Sequence, residues 1–351
     1  MRVRCPRTYN VVQEMKRVKR KCNSRQLRQI VCNLLMITGL CLTGWAPAMA
    51  QLAGYTVFFG ATAQKPTQIA LRSWSFQGRT MYWLVNPQTM KTSVAALPQD
   101  AVRKLNPAVL QQQFSRTPYG RALASEKRRD TNLQDAGIER ADTTERGFSL
   151  TIDLCPSTKP LTRSVFENLI AAFETEEKPI PVTITVSGLW MNSHQDDLAY
   201  LKSLVAKGDL DITWVNHSYH HRFDPKRPLP VNFLLEPNTN IAEEVLLNEQ
   251  TMLQNGLVPS VFFRFPGLVS DKSVFDRILG FGLLPIGSDA WLAKGQQPKP
   301  GSLVLIHANG NEPVGINDFI QLIRQKSASI RSKQWLLYEL PESVLKSEGN
   351  E

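Results

Sequence analysis

From residue 148 onward, short apolar runs recur with amphipathic stretches between them, and few folds accommodate that rhythm. The runs are FSLTIDL (148–154), PVTITVSG (181–188), LDITWVN (210–216), SVFFRF (260–265), LLPIGSD (283–289), SLVLIHA (302–308) and QWLLYEL (334–340). Each reads as a buried strand. The segments between them, such as TRSVFENLIAAFETEE and NIAEEVLLNEQTMLQNG, carry helical patterns. Strands alternating with helices predict a parallel sheet, either an open α/β sheet or an incomplete, distorted (β/α) barrel. In both, functional side chains gather where the strands end at their carboxyl edge.

The polar residues follow that rule. Asp153 ends the first run, His217 follows the third, and Arg264, Asp289 and His307 stand at the ends of the fourth, fifth and sixth. A single such residue is ordinarily a satisfied structural group. Recurrence at one edge points instead to a site. Three of the chain's five histidines also crowd into WVNHSYHHRF (214–223). His217 and His221 are four apart, so in a helical turn their rings would face the same way and could share a cation. Neutral imidazole suits zinc, cobalt or nickel. His220 is expected to point elsewhere, and Ser218 to cap the turn or orient a ring.

The rest of the chain bounds location and partners. Residues 1–50 hold ten basic residues against the single acid Glu14, then the apolar stretch Ile30 to Gly44 and small residues at Ala48 and Ala50. This is the pattern of a secretory signal peptide, with Met15 as an alternative start and an uncleaved membrane anchor as the alternative reading. An exported protein, periplasmic or extracellular, is therefore expected. Of the formal net charge of +10, all but about +1 belongs to this segment, which removes nucleic acid as an expected partner. Four of the five cysteines lie there too, leaving Cys155 alone and no internal disulfide to form. Residues 51–113 alternate like a small β-rich region. Residues 114–147, crowded with both charge signs and poor in large apolar side chains, read as a charged linker or surface wrap.

Taken in order, the motifs resemble those of the nodulation-protein-B-type polysaccharide deacetylases, carbohydrate esterase family 4. TIDLC resembles the T-F-D-D-G signature, HSYHH matches H-S/T-x-x-H, RFPG matches R-x-P, SDAW resembles an Asp and Trp motif, and VLIH matches a final Leu-x-His. The resemblance covers residues 148–345. It implies a distorted barrel of about seven parallel strands that removes acetyl groups from N-acetylhexosamine polysaccharides or oligosaccharides, usually with a divalent metal such as zinc. It further implies Asp153 as catalytic base, His217 and His221 as metal ligands, Arg264 as the group orienting the base, and His307 as general acid. Trp291, Pro266 and Leu305 fall on the substrate groove and acetyl pocket, and Asp289 on the carboxylate that tunes the acid. Two positions depart from the pattern. Ala290 intervenes between Asp289 and Trp291, and Leu154 stands where the family has its metal-binding aspartate. Three outcomes remain open: Asp153 joins the ligands, Cys155 or a distant acid replaces the lost one, or the metal is absent. The first two suit a metal-dependent deacetylase; the last suits an inactive relative that binds glycans.

Overall fold

The structure, a computed structural model, describes residues 52–141 and 147–347. The expected signal segment lies outside the described residues. The N-terminal region forms an antiparallel sheet from β1 (Ala53–Thr62), β2 (Ile69–Phe76), β3 (Arg79–Val85), β4 (Thr92–Ala96) and β5 (Val102–Lys104), in the order β4-β3-β2-β1-β5. Strand alternation splits its side chains. Ile69, Leu71, Trp83 and Val85 join one core with Phe262, Phe275 and Ile278, whereas Ala70, Tyr82 and Leu84 form a small cluster apart from it. One face of this sheet is thus buried against the rest of the molecule, and the two share a core.

The second sheet contains β6 (Gly147–Leu154), β7 (Ile180–Val186), β8 (Leu210–Asn216), β9 (Phe262–Arg264), β10 (Leu284–Ile286), β11 (Ala290–Trp291) and β12 (Leu303–His307), with β13 (Leu336–Leu337) paired to β6. Its order is β10-β9-β8-β7-β6-β12-β11, all parallel. The seven expected runs all form strands, and the two-residue β11 is an addition to them. On β6, Leu150, Ile152 and Leu154 join the apolar cluster that includes Val165, Phe166, Leu169 and Phe319 of the flanking helices. The alternation leaves Ser149, Thr151 and Asp153 on the opposite face.

The sheet is a half-barrel. Although β10 and β11 follow one another in the chain, they lie at opposite ends of the strand order. Residues 134–141 bridge between strands there. Ile138 donates its N–H to Pro285 O and accepts from Gly287 N on one side, while Glu139 O accepts from Leu303 N and Ala141 N donates to Gly301 O on the other. Gly137 makes the close approach possible: its φ is +118°, and a Cβ there would lie 2.6 Å from the Pro285 backbone. The stretch read from composition as a linker or surface wrap also contains the helix Pro118–Arg128, with Tyr119 and Ala122 buried, and contributes Ala136 and Ile138 to the core. High charge hid these few apolar contacts, because only one side of the segment meets the barrel.

Candidate functional site

Parallel register assembles the site. His307 on β12 is the direct partner of Asp153 on β6, and Asp153 is the partner of Thr185 on β7. Neighbouring strands lie about 4.8 Å apart, so the three Cα atoms form a short row across the carboxyl edge. Arg264, the last residue of β9, reaches the same row.

Asp153 is buried. Its Oδ1 accepts from Thr185 Oγ1 at 2.7 Å and from Arg264 Nη1 at 3.2 Å, while Oδ2 lies 3.6 Å from His217 Nε2. Burial alone would raise its pKa, but Arg264, His217, His307 and the Thr185 hydroxyl together hold it below the ordinary carboxylate value. Arg264 is fixed from several sides. It donates to Thr151 Oγ1 at 2.9 Å and to Gly287 O at 2.8 Å, while its Nε has no partner.

The histidine segment is an irregular loop, where a helical turn was expected. Ser218 and His221 have φ of 63° and 48°, yet the rings of His217 and His221 still meet, with centroids 4.7 Å apart. The loop is tied down from the helix Ile241–Gln254. Glu244 accepts from the N–H groups of Tyr219 and His220 and pairs with His220 Nδ1 at 2.8 Å, so His220 turns away from the other two rings. Asn248 donates to Asn216 Oδ1 at 2.7 Å, and Asn216 Oδ1 accepts from Ser218 N. The Ser218 hydroxyl itself has no partner.

His217 Nδ1 sits 2.9 Å from the Arg264 carbonyl. A carbonyl only accepts, so Nδ1 carries the proton and a neutral ring leaves Nε2 with a free lone pair. That Nε2 faces Cys155 Sγ at 3.5 Å. His221 Nε2 is buried without a hydrogen-bond partner. The donor atoms of Cys155, His217 and His221 all lie within 4.8 Å of one another, a set that fits a divalent cation. Asp153, expected among the ligands, is not one of the three, but its Oδ2 borders the set, 3.6 Å from His217 Nε2. Burial would raise the Cys155 thiol pKa, yet His221, His307 and His217 pull it well below the usual value.

His307 is nearly buried. Its Nδ1 lies 2.8 Å from Glu312 Oε2 in an ion pair too poorly aligned to count as a directed hydrogen bond. Burial lowers its pKa, but Cys155, Glu312 and Asp153 raise it well above the ordinary imidazole value. Glu312, at the cap of the helix Pro313–Gln325, also accepts from Trp291 Nε1 at 2.8 Å. The carboxylate beside His307 is therefore Glu312 and not Asp289. Asp289 accepts from Ser302 Oγ and Leu303 N and pairs with Arg140 at 3.2 Å, at the opposite end of β12. Four strand residues, about 13 Å, separate Leu303 from His307. Asp289 is a seam residue, and the extra Ala290 in its motif was the signal.

A cleft of about 420 Å³ opens over this cluster, lined by Cys155, His221, His307, Glu312 and Trp291, with Phe223 and Phe233 on another wall. Gly267 of the RFPG turn reaches it, while Pro266 itself is buried behind. Leu305 is fully buried against Leu268 and Trp291 and is the register partner of Trp291 on the adjacent strand. Lys294 Nζ lies 3.8 Å from the Trp291 ring centroid. Sequence reasoning missed Glu312, Thr185, Phe223 and Phe233. An acid just before Pro313 at a helix start was the one local hint for Glu312.

No protein-family model matches the chain. Among solved structures, it is similar to a family 4 carbohydrate esterase from Bacillus anthracis at 18% identity, covering 65% of this chain and 92% of that one, with a TM-score of 0.45. PdaA, a family 4 carbohydrate esterase of Bacillus subtilis, is 16% identical over 62% of this chain and 95% of its own, with a TM-score of 0.42. A pseudoenzyme of the same family from Bacillus anthracis is 15% identical over 61% of this chain and 70% of its own, with a TM-score of 0.40. These likenesses are distant and carry no argument about activity. No helix among the described residues is long and apolar enough to cross a membrane.

Proposed function

We propose that the chain is an exported, metal-assisted deacetylase of the family 4 carbohydrate esterase type, hydrolysing the N-acetyl group of an N-acetylhexosamine polymer or oligomer. One observation carries this reading. An ionised, arginine-held carboxylate (Asp153) and a carboxylate-paired imidazole (His307) are register partners on adjacent strands beside the Cys155, His217 and His221 donors. A glycan-binding module has no need of both an acid and a base.

Amide hydrolysis needs a water stripped of a proton, a home for the oxyanion and a proton for the amine. A bound divalent cation supplies Lewis acidity to the water and the acetyl carbonyl. Asp153 Oδ2, left free by the hold of Thr185 and Arg264 on Oδ1, accepts the water proton as oxygen attacks the acetyl carbon. Arg264 keeps that carboxylate ionised and aimed. His307, kept protonated by Cys155 and Glu312, gives its proton to nitrogen as the C–N bond breaks, releasing acetate and a free amine. The proton on Asp153 then restores His307 through solvent. Trp291 lines the cleft that would receive the acetyl group.

Leu154, in place of the family's carboxylate, favours the second reading, an inactive relative that binds glycan through the same cleft. Acetate release from N-acetylglucosamine oligomers separates them. The deacetylase reading expects release that stops with a chelator and with His307→Ala, while binding of the oligomer survives. Binding without release under any divalent metal would leave only the glycan-binding module.

A further inference from the structure

We propose that Cys155, His217 and His221 form a thiolate-bearing metal site of zinc-like preference, with sulfur taking the ligand place that Leu154 cannot fill. This deepens the functional reading above and rests on its site, but its test does not depend on activity.

Three geometric observations support it. Tetrahedral zinc with a sulfur at about 2.3 Å and a nitrogen at about 2.05 Å sets the two about 3.6 Å apart, and Cys155 Sγ stands 3.5 Å from His217 Nε2. The hydrogen bond from His217 Nδ1 toward the Arg264 carbonyl fixes the tautomer that a ligating Nε2 requires. His221 Nε2 is buried with no directed hydrogen-bond partner, as a nitrogen whose lone pair is kept for a cation would be. Leu154 packs in the helix-side core, so the strand offers its next residue, Cys155, as the donor.

The chemistry narrows the ion. One thiolate and two imidazoles suit zinc or cobalt and disfavour magnesium and calcium, which want oxygen. Cys155 and His221 both line the cleft, which leaves an open side where a fourth ligand enters from solvent. That is the coordination of a catalytic centre and not of a closed structural one.

The same sulfur near His307 and Glu312 has a competing use as a nucleophile in a thiol–imidazole–carboxylate set. A ligated thiolate is shielded, whereas a nucleophile is open to alkylation. The full-length protein, stripped with chelator, is titrated with cobalt(II) beside Cys155→Ser and Cys155→Asp, the N-terminal cysteines being common to all three. The expected result is a near-ultraviolet sulfur-to-cobalt charge-transfer band in the parent above whatever background the shared cysteines give in both variants. Cobalt affinity should fall at least about tenfold in Cys155→Ser and recover in part in Cys155→Asp. Zinc should slow iodoacetamide labelling of the Cys155 peptide by a similar factor. Cobalt bound without the band, or labelling indifferent to zinc, overturns the proposal. The band without acetate release upholds the metal site and sinks the deacetylase reading; metal-dependent release without the band does the reverse.

Discussion

Two fully buried arginines each meet a carboxylate in this molecule, and they are held in opposite ways. Arg72 grips Glu249 with two parallel contacts of 2.8 Å, donates from Nη1 to the Leu71 and Phe281 carbonyls, and lies over the Trp83 ring. Tyr55 adds a hydrogen bond to Glu249. Arg264 touches Asp153 once, at 3.2 Å, with its Nε unpartnered and Asp153 Oδ2 left facing His217. Burial lowers the pKa of both guanidiniums; Glu249 more than offsets this at Arg72, whereas at Arg264 burial prevails. The first pair is closed on all sides and joins the N-terminal sheet to the helix Ile241–Gln254. The second is incomplete, and an incomplete pair can still exchange a proton with something else.

Breaking the closed pair should have the largest effect. Arg72→Met leaves Glu249 charged with only the Tyr55 hydroxyl beside it, and should cost about 3–5 kcal/mol of stability in denaturant unfolding. Adding Glu249→Leu should return much of that loss, since the uncompensated charge is then gone. A double variant less stable than the single one would mean that the pair binds the N-terminal sheet to the helix by more than charge compensation. Breaking the open pair should hurt chemistry and spare the fold. Asp153→Asn keeps an oxygen for Thr185 and Arg264, and should lower kcat for acetate release by about 10²- to 10⁴-fold while lowering the melting temperature less than Arg72→Met does. Substantial unfolding of that variant would make Asp153 a structural partner like Glu249 and end the contrast.

Glu312 tests whether the imidazole opposite Asp153 depends on its own carboxylate. Cys155 and, after it, Glu312 raise the His307 pKa, so protonated His307 persists to higher pH in the parent. Glu312→Gln should cost about tenfold in kcat/KM and shift the alkaline limb of its pH profile downward. An unmoved limb would assign the acid to another group.

How much of this was legible beforehand follows from reach along the chain. Strand identity and the edge positions of Asp153, Arg264 and His307 come from local pattern and topology, and these were readable. The Arg72–Glu249 pair joins residues 177 positions apart, and nothing in either local sequence marks it. Asp289 misled because an ionisable residue at the end of an apolar run looks the same whether it faces a cleft or a seam. Residues 134–141 misled for a related reason: backbone hydrogen bonds hold them between the strands, and backbone carries no composition signal.

Glu177 completes the comparison as a half-buried carboxylate with no arginine. Burial pushes its pKa up to about 7, against a hydrogen bond from Leu337 N that lowers it and Glu342 that raises it further. The folded state therefore holds a proton that the unfolded chain, near 4.5, has already released. That contribution to stability is full below pH 4.5 and is lost as pH rises through about 7. Glu177→Gln keeps an oxygen for the Leu337 N–H and removes the charge. With solvent screening at a partly exposed site, it should stabilise the protein by about 1 kcal/mol at pH 8, or about 2–4 °C in Tm. The gain should vanish at pH 4.5, where the parent side chain is itself largely neutral in the fold. An equal gain at both pH values would assign the effect to packing and remove Glu177 from a series in which the cation beside a buried carboxylate decides whether it stays ionised.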